Sequence, residues 1–225
     1  MRDLLEGVDP EAAIAVLEEL ATPARRRRIA QVLASRLDCV VLVMDGPHDP
    51  HNGAAVLRSC DAFGVQRVHV VERTERFVAS GAVAMGAERW VDVLHHRSAG
   101  EAVAALRESG HTLVGSHPRG ELLPENLRDL PRLALVMGNE HDGVCAELDA
   151  ACRAHVRVPM RGFVESLNLS VSAAILLAAA TRDRPGDLAL PERRRLYARA
   201  LVQSVPRGRE VLEARGVTWP DAGRR

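Results

Sequence analysis

The sequence predicts an α/β fold, a largely parallel sheet flanked by helices, with helical extensions at both ends. Two observations carry this. Short apolar runs rich in β-branched residues recur through the middle of the chain, and segments of helical period separate most of them. Strands buried on both faces read as continuous apolar runs, and strand–helix alternation is the pattern of parallel sheets.

Residues 9–37 read as helix. Asp9-Pro10 is a start signal, with proline tolerated in the first turn, and Ile14, Leu17 and Leu20 follow at helical spacing. Thr22-Pro23 restarts the pattern, with Ile29, Val32 and Leu33 on one face. The period then changes. Cys39 to Met44 is a continuous apolar run ended by Asp45-Gly46-Pro47, a strand buried on both faces. Further strands are expected at 68–71, 90–94, 112–115, 133–137 and 155–158, and helices at 52–63, 99–108 and 145–151. After Pro159 a glycine-containing loop leads into a long apolar helix over 167–182, stopped by Arg184-Pro185-Gly186. Two short helices are expected near 191–202 and 206–214. The organisation is thus an N-terminal helical extension (1–37), a central domain (38–183) and a C-terminal helical extension (184–225).

With 225 residues, 47% apolar and 27% charged, the chain can bury a substantial core, and wholesale disorder is excluded. Met1-Arg2-Asp3 leads into an acidic amphipathic stretch, so no secretory signal is expected. The longest apolar run, Val171 to Ala180, is broken by Ser172 and is too short to span a bilayer. A soluble, cytoplasmic protein without a membrane partner is expected. The four cysteines form no CxxC pair and read as reduced thiols, with Cys39 and Cys60 in buried elements. His48 and His51 flank Asp49-Pro50, where the proline disfavours a helical ligand pair, so no metal site is expected. All thirty basic residues are arginine, clustered at Arg25, Arg26, Arg27 and Arg28 and at Arg193 to Arg195, while the net charge is zero. The planar guanidinium suits phosphate, but such clusters also decorate solvated helix faces.

Ligands of open α/β sheets bind beyond the carboxyl ends of the strands. Three loops there combine glycines with small polar residues: Pro50 to Gly53, opening a helix that contains Arg58; Met137 to Gly143; and Val158 to Ser170. Each has a plain structural alternative. Asn52 or Ser166 would cap a helix, and Gly138 and Gly143 would serve turns. No dinucleotide or Walker glycine pattern and no nucleophile–histidine arrangement accompanies them. The loops offer backbone amides and carbonyls, an arginine, a carboxylate and small hydroxyl and amide groups. Such groups suit an adenosine-bearing or zwitterionic ligand and a phosphodiester.

At these residues the sequence resembles the SpoU/TrmH family of the SPOUT class of RNA methyltransferases. Three motifs match in order and spacing: Asn52-x-x-Ala55-x-x-Arg58 continuing through Cys60-Asp61-Ala62-Phe63-Gly64-Val65; Leu135 to Glu140 with Gly143; and Val158-Pro159-Met160-x-Gly162 with Ser166 to Ser172. The resemblance extends from the arginine-rich helix near Arg25 to Gly216-Val217-Thr218-Trp219-Pro220, and points to the subgroup that methylates guanosine 18 in the D-loop of tRNA. It implies a C-terminal trefoil knot, which ordinary connection rules exclude. It also implies a homodimer and S-adenosylmethionine as methyl donor, held around Ser116, Met137, Gly138, Val158, Met160 and Leu167. Arg58 would act on the ribose hydroxyl as a base or clamp a phosphate, Asn52 would support it, and Glu140, Ser166 and Asn168 would shape the site. Arg25 to Arg28 would contact tRNA. The sequence departs from the subgroup at Asp49, where lysine is usual, and in the added helix of residues 1–20. Rival readings are methylation of ribosomal RNA or another tRNA position, a catalytically silent RNA binder, and a nucleotide-binding protein unrelated to RNA.

Overall fold

The computed structural model describes residues 5, 7–73, 77 and 81–217. Met1-Arg2-Asp3 and Thr218-Trp219-Pro220 therefore lie outside the described residues. The helices are α1 (Pro10–Leu17), α2 (Pro23–Ala34), α3 (Pro50–Ala62), α4 (Gly81–Ala84), α5 (Ala99–Glu108), α6 (Ala146–Ala151), α7 (Leu169–Thr181), α8 (Leu190–Ser204) and α9 (Gly208–Ala214). The strands are β1 (Val40–Asp45), β2 (Arg67–Val71), β3 (Asp92–His96), β4 (Thr112–Ser116), β5 (Leu133–Met137) and β6 (Ala154–Val156). Two compact units result: residues 37–185 make one, and the described residues up to Arg36 with those from Gly186 onward make the other.

In the first unit the six described strands pair in parallel, in the order β3-β2-β1-β5-β4-β6. The central strands β1 and β5 are buried throughout. Because successive side chains point to opposite faces, the runs divide between two cores. Leu42, Met44, Leu135 and Met137 pack with Val56, Leu57, Leu176 and Leu177 of α3 and α7. Val41, Val43, Ala134 and Val136 pack with Ala102, Leu106 and Leu148 of α5 and α6. On β2, His69 is 5% exposed, and its Nδ1 lies 2.8 Å from His96 Nε2. Burial, helped by the neighbouring His96, pushes the His69 imidazole down to about 4, and burial lowers His96 as well.

The expected elements are largely present, with one displaced strand. The helical stretch over 9–37 restarts at Thr22-Pro23 as expected, because Pro23 lacks an N–H and cannot continue a preceding helix. Thr22 caps α2, its Oγ1 accepting from Arg25 N at 3.2 Å. The strand expected over 90–94 is displaced to 92–96, since Trp90 closes a 3-10 turn over Ala87–Arg89. The plain capping alternative for Asn52 and Ser166 does not apply. Asp49, not Asn52, caps α3 by accepting from His51 N at 2.8 Å, and Asn168, not Ser166, caps α7 by accepting from Ser170 N at 2.8 Å.

The described elements of the second unit are helices. Ala13, Ile14 and Leu17 of α1 are buried, as are Leu196, Ala200 and Leu201 of α8. Tyr197 donates to Glu18 at 2.7 Å, and Arg194 forms a forked ion pair with Glu11.

Candidate functional site

Parallel pairing aligns the strand ends: Met44 lies opposite Met137, Gly115 opposite Val136, and Ser116 opposite Val156. The chain leaves the sheet there into the loops that the sequence singled out. Between them lies a cavity of about 480 Å³. Met137, Val156, Val158, Leu167 and Leu176 give it apolar walls, and Ser116, Gly138, Glu140, Glu165, Ser166 and Asn168 bring polar atoms to it. Among the described residues its lining includes two carboxylates, Glu140 and Glu165, and no arginine. A cavity of this size and mixed lining matches small-ligand sites of about 300–1,000 Å³. Among the described residues no three histidine, cysteine or acidic side chains cluster to hold a metal.

A string of side-chain hydrogen bonds runs from the cavity to α3. Asn52 donates Nδ2 to Glu140 Oε1, and Asn168 donates Nδ2 to Asn52 Oδ1 at 3.0 Å. Asn168 Oδ1 in turn accepts from Ser170 Oγ at 2.6 Å, besides capping α7. Because Asp49 caps α3, the Asn52 amide is free for this role. Elements distant in sequence thereby fix one another's polar ends.

The loop after β5 is folded tightly on itself. Asn139 N donates to Gly143 O at 3.1 Å, Gly143 N returns to Asn139 O at 3.2 Å, and Asn139 Oδ1 accepts from His141 N and Asp142 N. Gly138 enters this turn with no room for a side chain, since a Cβ there would overlap the backbone of Gly143 and Val144. Beside the loop sits Asp45, whose side chain has no exposed surface. It accepts a forked pair of hydrogen bonds from Arg73 and another from Cys145 N at 2.6 Å. The forked pair with Asp45 raises the Arg73 guanidinium above its ordinary range.

Of the residues expected to hold the donor, Ser116, Met137, Gly138, Val158, Met160 and Leu167 all line the cavity, as do Glu140, Ser166 and Asn168. Asn52 is brought in through its amide. Arg58 is not brought into the cavity. It is exposed on α3, and its guanidinium has no partner among the described residues. Arg25 to Arg28 lie on α2 of the helical unit. Arg27 and Arg28 are exposed, Arg26 is half-buried, and Arg25 donates to Ser204 at 2.9 Å. The sequence reading missed His117, Pro118, Glu165 and the wall residues Val156 and Leu176. Glu165 and His117 sat beside expected positions; the apolar wall carried no signal separating it from core.

Residues 39–178 match the SpoU rRNA Methylase family, and the chain belongs to that family of RNA methylases. It is similar to the tRNA (guanosine(18)-2'-O)-methyltransferase of Escherichia coli (strain K12), 36% identical over 163 residues, covering 72% of this chain and 71% of that enzyme. In fold it resembles the TrmH/SpoU tRNA modifying enzyme of A. aeolicus, with a TM-score of 0.73, 24% identity, and coverage of 85% of this chain and 99% of the other. It also resembles the SpoU methyltransferase AviRb from Streptomyces viridochromogenes in complex with AdoMet, with a TM-score of 0.59, 26% identity, and coverage of 68% and 63%.

Proposed function

We propose that this protein transfers a methyl group from S-adenosylmethionine to the ribose 2′-hydroxyl of tRNA, at guanosine 18. One observation carries the reading: the cavity at the strand ends opens beside the hydrogen-bonded string of Asn52, Glu140 and Asn168. The similarity to guanosine-18 methyltransferases supplies the position.

The residues present fit the donor. Met137, Val158, Leu167 and Leu176 offer apolar surface to an adenine, and Glu140 and Glu165 offer negative charge to a sulfonium. The bound donor supplies an already activated methyl group. What remains for the chain is alignment, worth about 7–11 kcal/mol when complete, and handling of one proton, worth about 10²–10⁴-fold. Glu140, fixed by Asn52, and Asn168, fixed by α7, give the cavity mouth a defined set of polar atoms. We assign Arg58 the role of phosphate clamp, because its exposed, unpartnered guanidinium is available to an incoming RNA backbone. Arg25 to Arg28 dock the tRNA from the helical unit.

Two further assignments belong to this reading. The segment after β6 threads the connection between β4 and β5 as a trefoil knot. In support, Leu122 N donates to His155 O at 2.9 Å and Arg157 N to Leu122 O at 3.0 Å. Arg184 also holds the same connection by donating to the carbonyls of Leu127, Leu130 and Pro131. The protein works as a homodimer. Val171 and Ile175 are exposed one turn apart on α7, and Phe163 and Val164 are exposed in the loop before it, an apolar surface that a second copy would cover. We place the protein in the cytoplasm with its substrate; no described helix is long and apolar enough to cross a membrane.

The test is methyl transfer to tRNA transcripts, one of them carrying 2′-deoxyguanosine at position 18. Transfer to the normal transcript and none to the deoxy form supports the reading. Transfer to both moves the target elsewhere in tRNA. Activity on ribosomal RNA alone would replace tRNA as substrate, and donor binding without transfer to any RNA would make the protein a silent binder.

A further inference from the structure

We propose that Arg73, held by the buried carboxylate of Asp45, is a positioning residue for methyl transfer, setting the shape of the Gly138–Gly143 loop and so the placement of Glu140. The inference rests on the proposed activity and deepens it.

Three loops leave the sheet at this point, after β1, β2 and β5, and one ion pair joins all three. Asp45 closes β1, Arg73 lies two residues beyond β2, and the backbone of Gly143 and Cys145 follows β5. Arg73 donates Nε to Asp45 Oδ1 at 2.8 Å and Nη2 to Asp45 Oδ2, while Asp45 Oδ2 also accepts from Cys145 N. The same Nη2 reaches Gly143 O at 3.3 Å, and Nη1 stands 3.8 Å from Asp142 Oδ2.

The bond to Gly143 separates positioning from mere stability. A buried ion pair is a poor stabiliser, since packed apolar residues often do as well. Here the guanidinium spends a hydrogen bond on the carbonyl that closes the turn, the one already accepting from Asn139 N. Gly138 abuts the backbone of Gly143 and Val144, so a shift of Gly143 passes directly to Gly138, which lines the cavity. Glu140 projects from the same turn to Asn52. Arg73 touches neither the cavity nor Arg58, and acts through the turn alone.

Arg73→Lys keeps the charge facing Asp45 and removes the fork that reaches Gly143. Asp45→Asn is the second variant. It keeps an acceptor for Cys145 N and leaves Arg73, which is 24% exposed at its side chain, with access to water. Each variant is tested for affinity for S-adenosylhomocysteine by calorimetry, single-turnover transfer at saturating donor and tRNA, tRNA affinity, and melting temperature. Both should bind S-adenosylhomocysteine about 10-fold or more weakly and transfer methyl about 10-fold or more slowly, as expected for misplacement near 1 Å, with tRNA affinity within about twofold. A purely structural role would lower the melting temperature while the folded variants kept wild-type donor affinity and rate, and that result overturns the proposal. If the wild-type protein neither binds S-adenosylhomocysteine nor methylates RNA, the activity itself falls. An active wild type with unaltered variants removes the role of Arg73 alone.

Discussion

Residues 37–185 carry fifteen arginines, nineteen acidic residues and all nine histidines; the remaining residues carry fifteen arginines, eleven acidic residues and no histidine. A net charge of zero thus conceals a positive helical unit and a negative sheet unit. In the proposed reaction each sign has a use. Positive charge gains affinity from counterions released by a phosphate backbone, whereas a cavity lined by Glu140 and Glu165 favours a cationic sulfonium. On the proposed function, docking and chemistry fall to different parts of one chain. Variants of the sheet unit should therefore change donor binding or rate, and variants of the helical unit should change RNA affinity and its salt dependence. Any crossed result breaks the division.

The largest effect is expected at Gly138. Replacement by valine places a branched Cβ against the backbone of Gly143 and Val144, so the turn must open. The cost should be about 3 kcal/mol or more, in the range of overpacked or backbone-strained sites. Calorimetry should find no binding of S-adenosylhomocysteine. Normal binding to Gly138→Val would show that the turn does not govern the donor site.

Arg58 comes next. A solvated-face arginine tolerates Lys or Ala within about 0.5 kcal/mol, but a phosphate clamp does not tolerate losing its fork. Arg58→Lys and Arg58→Ala should fold and bind the donor normally, yet transfer methyl at least about 10²-fold more slowly. Single-turnover rates beside donor affinity decide this. A variant that keeps more than about a third of the wild-type rate at saturating tRNA would remove Arg58 from the mechanism.

Acid should act on the sheet unit, where every histidine lies. His69 is neutral in the fold, with its pKa lowered from the ordinary 6.5 to about 4. Between those values the unfolded chain binds a proton that the folded chain does not. Stability from this group is therefore full above pH 6.5 and falls as pH falls toward 4. From pH 7 to pH 5 the loss should be about 2 kcal/mol, and His69→Gln should flatten that slope. Denaturant melts of both proteins at several pH values measure it. Equal slopes would mean that His69 is not the group responsible.

Much of this division was legible in the sequence, for physical reasons that also mark where legibility stopped. The buried strands β1 and β5 announced themselves as unbroken apolar runs because both of their faces are covered. The partly exposed β3 has no such run, and the apolar pair Trp90-Val91 drew its expected start two residues early. Helices as short as α4 leave no periodic trace. The three polar loops stood out by composition, and the cavity formed among the loops after β4, β5 and β6. The Asp45–Arg73 pair did not stand out. A charge at a strand end separated by 28 residues from its partner has no local signature, and only the parallel pairing of β1 with β2 brings the two together. Leu176 and Val156 were recognisable as buried, but periodicity cannot tell a wall facing a cavity from one facing core.

The smallest expected effect tests the other half of the comparison. Within the arginine run of α2 the four residues are not equivalent. Arg25 is bonded to Ser204, and Arg26 is half-buried near Tyr197. Arg27 and Arg28 are exposed and without partners among the described residues. Replacing Arg27 and Arg28 together by alanine should leave the helical packing intact, so that any change reports on the RNA. Each arginine–phosphate pairing removed from a duplex region should lower the slope of log affinity against log salt by about 0.9. The slope of a double variant should therefore fall by about 1.8 if both residues touch the backbone, with weaker binding at low salt and little difference at high salt. Single-turnover transfer at saturating tRNA should match wild type, because neither residue lies in the unit that holds the cavity. Filter binding across a salt series, with the rate measured in parallel, separates the outcomes. An unchanged slope would return these arginines to a solvated helix face, and a slower saturated rate would mean that docking on α2 and chemistry beside β5 are not separate after all.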